Sequence, residues 1–281
     1  MPIRRTTRIG HATGLPIHDG ELAIGGYSGL PIVPSGSKTY ESYIESLGPL
    51  LWLAMTGTGA TEVNKGTVGA TLDGTITNMG AQGIAGKIAD DSAHLYNASN
   101  SQISVPNDIS IQPDALGAFT WVAITMPFSQ GEGTLGRLAQ MPVGNAYDWR
   151  INGHDQRIYM QLEAATTDAQ RSVQFTSRFI GKWTVFFMSF DVATDLLPSM
   201  FRYDNDGFEE AVTVGGSQNI SGALSTPSGN IRVGYAGQLD GIYDEFMIFG
   251  SVLSASQMER IGRLALARRW NSYLKKLLEV A

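Results

Sequence analysis

Two carboxyl groups held about 5 Å apart can cleave a glycosidic bond, one as nucleophile and one as acid. This chain crowds its acidic residues at Asp240, Asp244 and Glu245, and at Glu209-Glu210 just after the Asp206-Gly207 turn. On a strand, neighbours such as Asp244 and Glu245 point to opposite faces. Neither group therefore converges, and a glycan-cleaving enzyme is the least favoured reading carried forward. A serine nucleophile needs a Gly-x-Ser-x-Gly elbow between strand and helix, and the sequence has none. The four histidines, His11, His18, His94 and His154, do not stand at metal-ligand spacing from one another. With no cysteine, thiol catalysis and zinc-thiolate sites are excluded. The sequence predicts no catalytic residue, no metal ligand and no cofactor, with calcium as the alternative. Asp90-Asp91 and Asp204-Asn205-Asp206-Gly207 supply oxygen ligands for it, but the second run lacks the rest of an EF-hand loop and suits a hairpin turn.

Recognition chemistry is better served. Sugar sites combine aromatic platforms with polar side chains that fix orientation. In Tyr147-Asp148-Trp149-Arg150-Ile151, alternation sends Tyr147, Trp149 and Ile151 inward. On the next strand, Arg157, Tyr159, Gln161 and Glu163 share a polar face. Arg157, Tyr159 and Gln161, together with Tyr203, are the candidate glycan site. The competing reading is an ordinary solvated sheet face.

Three textures along the chain must position these residues. Residues 1–48 are rich in Gly, Pro, Ser and Thr and read as an extended anchoring arm. Residues 49–253 repeat short β-branched and aromatic runs separated by turn clusters, among them 119–124, 158–162 and 183–188. Asn152-Gly153 and Asp206-Gly207 are hairpin signals. Many short strands without helical patterns between them predict an all-β sandwich. From Ser254 the period changes. Ser254 as N-cap and Gln257 three residues on make a capping box, opening an amphipathic helix over 254–281 with a break expected near Gly262. Trp270, Leu274 and Leu277 form a stripe that could act as an oligomer seam.

At 43% apolar and 16% charged residues, the chain can bury a sizeable core. Its net charge of -6 argues against nucleic acid as a partner, since phosphate neutralisation needs a basic face. No run approaches the roughly 18 apolar residues of a membrane helix, so no membrane insertion is expected. The basic start is not followed by an apolar segment, so a secretory signal is not expected and synthesis in a cytoplasm is.

Several segments together resemble the laminin-G/pentraxin-like family of concanavalin A-like jelly rolls. In order they are Leu50-Leu51-Trp52-Leu53-Ala54-Met55, Gly83-Ile84-Ala85-Gly86-Lys87-Ile88, Tyr96 to Pro106, Phe119-Thr120-Trp121-Val122, Gly181-Lys182-Trp183-Thr184-Val185, and Gly241-Ile242-Tyr243-Asp244-Glu245-Phe246. The resemblance implies a jelly-roll sandwich, with Asp244 as the structural aspartate of the closing strand. Trp121, Trp183 and Phe246 are expected between the sheets. Near the start, Asp19-Gly20-Glu21-Leu22-Ala23-Ile24-Gly25 is similar to a segment of bacteriophage tail-fibre, tail-appendage and head-decoration proteins. That resemblance implies a non-enzymatic virion protein, anchored through Gly20, Glu21, Leu22, Ala23 and Ile24. Its expected partners are capsid, neck or tail proteins, further copies of itself in a homo-oligomer such as a trimer, and host surface glycan. A free lectin-like, carbohydrate-binding module is the alternative.

Overall fold

The computed structural model describes residues 39–88, 93–96, 101–131, 135–141, 147–234 and 239–280, and the side chains of these as far as residue 267. The chain divides at Thr39/Tyr40, and the elements belong to the unit that begins at Tyr40.

In chain order the elements are α1 (Tyr40–Leu47), β1 (Leu51–Leu53), β2 (Thr61–Glu62), β3 (Gly74–Thr77), β4 (Ala81–Ile84), β5 (Ala93–Tyr96), β6 (Gln102–Val105) and α2 (Pro113–Leu116). There follow β7 (Ala118–Pro127), β8 (Arg137–Met141), β9 (Tyr147–Ile151), β10 (Arg157–Leu162), β11 (Ala169–Gln174), β12 (Thr184–Asp191) and β13 (Ser199–Asp204). The last are β14 (Gly207–Glu210), β15 (Val212–Gln218), β16 (Ile231–Val233), β17 (Gly241–Phe249) and α3 (Ala255–Val280). Among the described residues the strands form two antiparallel sheets. One has eight strands in the order β14-β13-β12-β7-β17-β5-β4, with β1 paired to β17, and the other has nine in the order β15-β11-β10-β9-β8-β16-β6-β3-β2. This is the expected β-sandwich with a C-terminal helix.

Alternation in the strands builds the interior. Tyr147, Trp149 and Ile151 from β9 and Ile158, Met160 and Leu162 from β10 point in, as the sequence pattern predicts, and meet Phe119, Trp121 and Phe246 from the facing sheet. The Trp121 ring meets Trp149 of the facing sheet edge-on at 6.5 Å, tying the two sheets, and Phe246 of its own sheet at 6.0 Å. Trp183 is the exception to its expectation: it packs against a second cluster on the outer side of the eight-stranded sheet.

That second cluster is what the helices cover. Val122, Ile124, Val185, Phe187, Met247 and Phe249 line the outer face, and α1 contributes Tyr40, Tyr43 and Ile44 while α3 contributes Met258, Ile261, Ala265 and Leu266. A sheet apolar on both faces needs such a cover. Residues 40–47, grouped by composition with the arm, therefore belong to the compact unit. The capping box forms as expected, with Ser254 N donating to Gln257 Oε1 at 2.8 Å and Gln257 N to Ser254 Oγ at 3.3 Å. Gly262 does not break α3. A Cβ there would lie 2.3 Å from Tyr203 Cβ and Cγ, so the missing side chain is what lets the helix touch β13. Both hairpin signals are turns: Gly153 (φ 59°) lies between β9 and β10, and Gly207 (φ 105°) follows the Asn205-Asp206 turn.

Candidate functional site

Strand pairing fixes which polar side chains meet on the outer face of the nine-stranded sheet. The register places Arg232 (β16) beside Gln140 (β8), Gln140 beside Asp148 (β9), Asp148 beside Gln161 (β10) and Gln161 beside Gln170 (β11). The next row runs Arg137, Arg150, Tyr159, Ser172, and beyond it Arg157 pairs with Gln174. All of these alternate with the buried Tyr147, Trp149, Ile158 and Met160, which is why they face out.

The patch is internally bonded. Asp148, 2% exposed, accepts from Arg137 Nε at 3.0 Å and from Arg150 Nη1, so one carboxylate serves two guanidinium groups. The Arg150 guanidinium lies 4.3 Å from the centre of the Tyr159 ring. Tyr159 donates to Gln161 Oε1 at 3.0 Å, and Gln161 Nε2 donates to Asp168 Oδ2 at 2.9 Å. Burial raises the Tyr159 phenol pKa against the lowering effect of Arg150, so its hydroxyl remains a donor at neutral pH. Arg157 Nε donates to the neutral Gln174 side chain at 3.0 Å. Gln140 Oε1 and Arg150 Nε are buried atoms of the patch without a hydrogen-bond partner, as is Glu163 Oε2 beside Asp168. Such orphans are costly unless something outside the chain completes them.

The structure thus brings Arg157, Tyr159 and Gln161 together, but not Tyr203. Tyr203 lies in β13 of the other sheet, packed beneath α3. Sequence reasoning placed it by residue type alone, without the pairing that decides its sheet. It also passed over Asp148, Arg150, Gln140 and Arg232. The alternation that sent Tyr147, Trp149 and Ile151 inward already sent Asp148 and Arg150 out, whereas the Gln140 and Arg232 neighbours depend on long-range pairing.

The acidic candidates are structural. A β-bulge in β17, where Tyr243 pairs with Thr125 and Glu245 with Ile124, leaves Asp244 as the extra residue. The opposite-face expectation for Asp244 and Glu245 fails here, because a bulge disrupts alternation. Both are buried toward the helix-covered side. Asp244 Oδ2 accepts from the Lys87 and Ile88 amides, the latter at 2.8 Å. Glu245 Oε2 accepts from Tyr40 OH at 2.5 Å and Trp52 Nε1 at 3.0 Å. Glu209 pairs with Arg202, and Glu210 is exposed at the strand end. His94 Nε2 lies 3.0 Å from Glu62 Oε2 in a fully buried pair, and the Glu62 carboxylate also takes the Thr56 and Gly57 amides. His154 is partly exposed beside Asp155.

In the Asp204–Gly207 run, Asp204 lies 3.2 Å from Arg202, and Asp206 takes Ser177 and Lys182. Asp90-Asp91, His11, His18 and the arm residues Gly20, Glu21, Leu22, Ala23 and Ile24 lie outside the described residues. Trp270, Leu274 and Leu277 fall within α3, but their side chains lie outside the description. Among the described residues no three His, Asp or Glu side chains gather as a metal site, and no helix is long and apolar enough to cross a membrane.

No family model and no curated protein sequence matches the chain. Solved structures do match in fold. The binding domain of Paraclostridial mosquitocidal protein 1 aligns with a TM-score of 0.55 at 14% identity, over 77% of this chain and 52% of that one. Trypanosoma rangeli sialidase in complex with sialic acid aligns at 0.54 and 13%, over 85% and 36%. The botulinum neurotoxin serotype G binding domain aligns at 0.51 and 16%, over 76% and 50%. The chain spans from about a third to about half of these proteins' lengths. At such identities the likeness is one of fold: a β-sandwich of two antiparallel sheets.

Proposed function

We propose that this chain is a non-enzymatic adhesion protein that holds a glycan on the outer face of the nine-stranded sheet, around Arg150, Tyr159 and Gln161. The observation that carries this reading is the cross-strand polar patch, with its stacked Arg150–Tyr159 pair and its unpartnered buried atoms. Tyrosine, arginine and amides fixed by a sheet are the groups that orient sugar hydroxyls. The fold neighbours include a sialidase in complex with sialic acid and two toxin binding domains, which is in keeping with a recognition role. Asp244 and Glu245 support the non-enzymatic reading: both are buried and already bonded within the chain.

In its finer form, the protein is a laminin-G-like jelly roll on a phage particle. The arm residues Gly20, Glu21, Leu22, Ala23 and Ile24 attach it to capsid, neck or tail, and copies associate as a homo-oligomer, with Trp270, Leu274 and Leu277 in the seam. The resemblance of the Asp19–Gly25 segment to phage appendage proteins supports this. A free lectin-like module remains the second reading, favoured by fold neighbours that are themselves binding domains.

A glycan array probed with the full chain tests the binding claim. A defined hit, lost on Tyr159→Ala, is expected; no hit on a broad array counts against it. A reducing-sugar assay on the hit should show no turnover, and turnover abolished by a carboxylate substitution would establish an enzyme. Removing residues 1–38, which stops short of the buried Tyr40, Tyr43 and Ile44, should keep glycan binding and abolish particle attachment. Attachment without the arm would sink the anchoring role.

A further inference from the structure

We infer that the glycan on this face is a linear chain of several sugars laid across the strands, and not a single terminal sugar; the inference rests on the reading of the face as a glycan site. The spread of unsatisfied atoms carries it. Gln102 Oε1 on β6, Gln140 Oε1 on β8, Arg150 Nε on β9 and Glu163 Oε2 just past β10 are all buried atoms without a hydrogen-bond partner. Gln102 pairs with Thr77 and alternates with the core residue Ile103, and Glu163 alternates with the core residue Leu162. All four therefore belong to the outward face. In the sheet order β6-β16-β8-β9-β10 they lie across four strand spacings, about 19 Å. One sugar ring cannot touch both ends of that span. Gln102, Arg150 and Glu163 are partly exposed side chains, within reach of a ligand laid on the face, and Gln140, 4% exposed, sits lower on the intervening β8.

The chemistry of the four atoms fits a chain of hydroxyls. The three oxygens need a donor and the Arg150 N–H needs an acceptor, and a sugar hydroxyl is both. Strand register continues the polar line beyond them. The row from Arg232 to Gln170 extends through Ser104, Thr75 and Thr61 on one side and to Gln218 on the other. It crosses all nine strands, eight spacings or about 38 Å. Apart from Arg232 and Asp148, each member carries a hydroxyl or an amide. β2 and β16 each give that line one outward side chain, Thr61 and Arg232, between or beside buried ones. There the line is one residue deep, so its length runs across the strands. An extended peptide would instead pair its backbone at a sheet edge, whereas β6, β8, β9 and β10 are all interior strands.

The test is a length series. Titration calorimetry measures the full chain against cello-, malto-, xylo- and chito-oligosaccharides of increasing length, and against the same series cut from any linear array hit. In the series that binds, affinity should rise about twofold to tenfold with each added sugar, up to at least the tetrasaccharide. Gln102→Ala, at a partly exposed side chain, should weaken the longest member about threefold or more and the disaccharide less. A loss that grows with length on Gln174→Ala, with none on Gln102→Ala, would mark a chain running along the strands and overturn the inference. Affinity already complete at the mono- or disaccharide overturns it too, and leaves the glycan face standing where Tyr159→Ala still abolishes binding. Absence of binding to all of these series and to every array glycan removes the face reading as well.

Discussion

Replacing Gly262 with alanine should destabilise the protein, although alanine is the better helix former. The added Cβ would sit 2.3 Å from Tyr203 Cβ and Cγ and 2.7 Å from Cδ1, whereas carbon atoms rest at about 3.5–4.0 Å. The neighbours at this contact are a strand backbone's own Cβ and the root of a ring, which cannot swing aside as a flexible tip can. Either α3 lifts by more than an ångström or Tyr203 and β13 shift. Lifting loosens Met258, Ile261, Ala265 and Leu266 against the sheet. Overpacking of this kind costs about 1–3 kcal/mol, while the gain in helix propensity is about 0.8–1.0 kcal/mol. The net expectation is a loss of up to about 2 kcal/mol, read as a Tm lowered by up to about 8 °C for a unit of this size. Thermal and urea unfolding followed by circular dichroism measure it. In a Tyr203→Gly background the obstacle is gone, and Gly262→Ala should then stabilise. A Gly262→Ala that stabilises with Tyr203 in place, by the same amount as in the Tyr203→Gly background, would refute the reasoning that close packing places this glycine.

Glu245 gives a pH-dependent prediction. Burial, then the neighbouring Asp244 carboxylate, raises its pKa well above the usual carboxylate range, outweighing the hydrogen bonds from Tyr40 and Trp52. A folded pKa above the unfolded value means that Glu245's contribution to stability is fully present below the unfolded pKa of about 4.3 and is lost as pH rises toward the folded value. Glu245→Gln, a mimic of the neutral form, should therefore gain stability relative to the parent as pH rises, and a constant difference across pH would contradict this. Arg202, 1% exposed between Asp204 and Glu209, should cost about 3–5 kcal/mol when cut to alanine, because buried carboxylate charge is left unpaired. Arg202→Met should cost clearly less in the same urea titration. Removing the cap with Ser254→Ala should cost about 0.5–2 kcal/mol, and an unchanged urea midpoint would show the capping box to be idle.

What the sequence makes legible is local. Period-2 alternation in Tyr147–Ile151 and 157–162 gives the correct inward and outward sets, Ser254 and Gln257 mark the helix start, and Gly153 and Gly207 mark turns. These depend on residues a few positions apart. The misread features depend on pairing between distant segments. The Tyr40–Glu245 bond spans 205 positions, and nothing in Tyr40's neighbourhood announces it. The bulge that turns Asp244 and Glu245 to one side interrupts the alternation on which the opposite-face reading relied. Trp183 is misplaced because the eight-stranded sheet is apolar on both faces, so a large aromatic side chain fits under the helices as well as between the sheets, and Tyr203 because only long-range pairing assigns it to that sheet. Gly262 looked like a break because glycine weakens a helix, yet here close approach to Tyr203 decides its place.

The claim that a glycan lies on the nine-stranded sheet is tested most directly by titration calorimetry of one array hit against four proteins: the parent chain, Tyr159→Ala, Gln161→Ala, and Glu259→Ala on the exposed side of α3. A hydrogen bond to sugar is worth about 0.5–1.5 kcal/mol net, and loss of Tyr159 also removes the ring beneath Arg150. The account predicts roughly a threefold to tenfold weakening for Gln161→Ala, a larger one for Tyr159→Ala, and no change for Glu259→Ala. Parent-like affinity in both face variants, with the glycan still bound, would place the site elsewhere on the molecule and contradict the account.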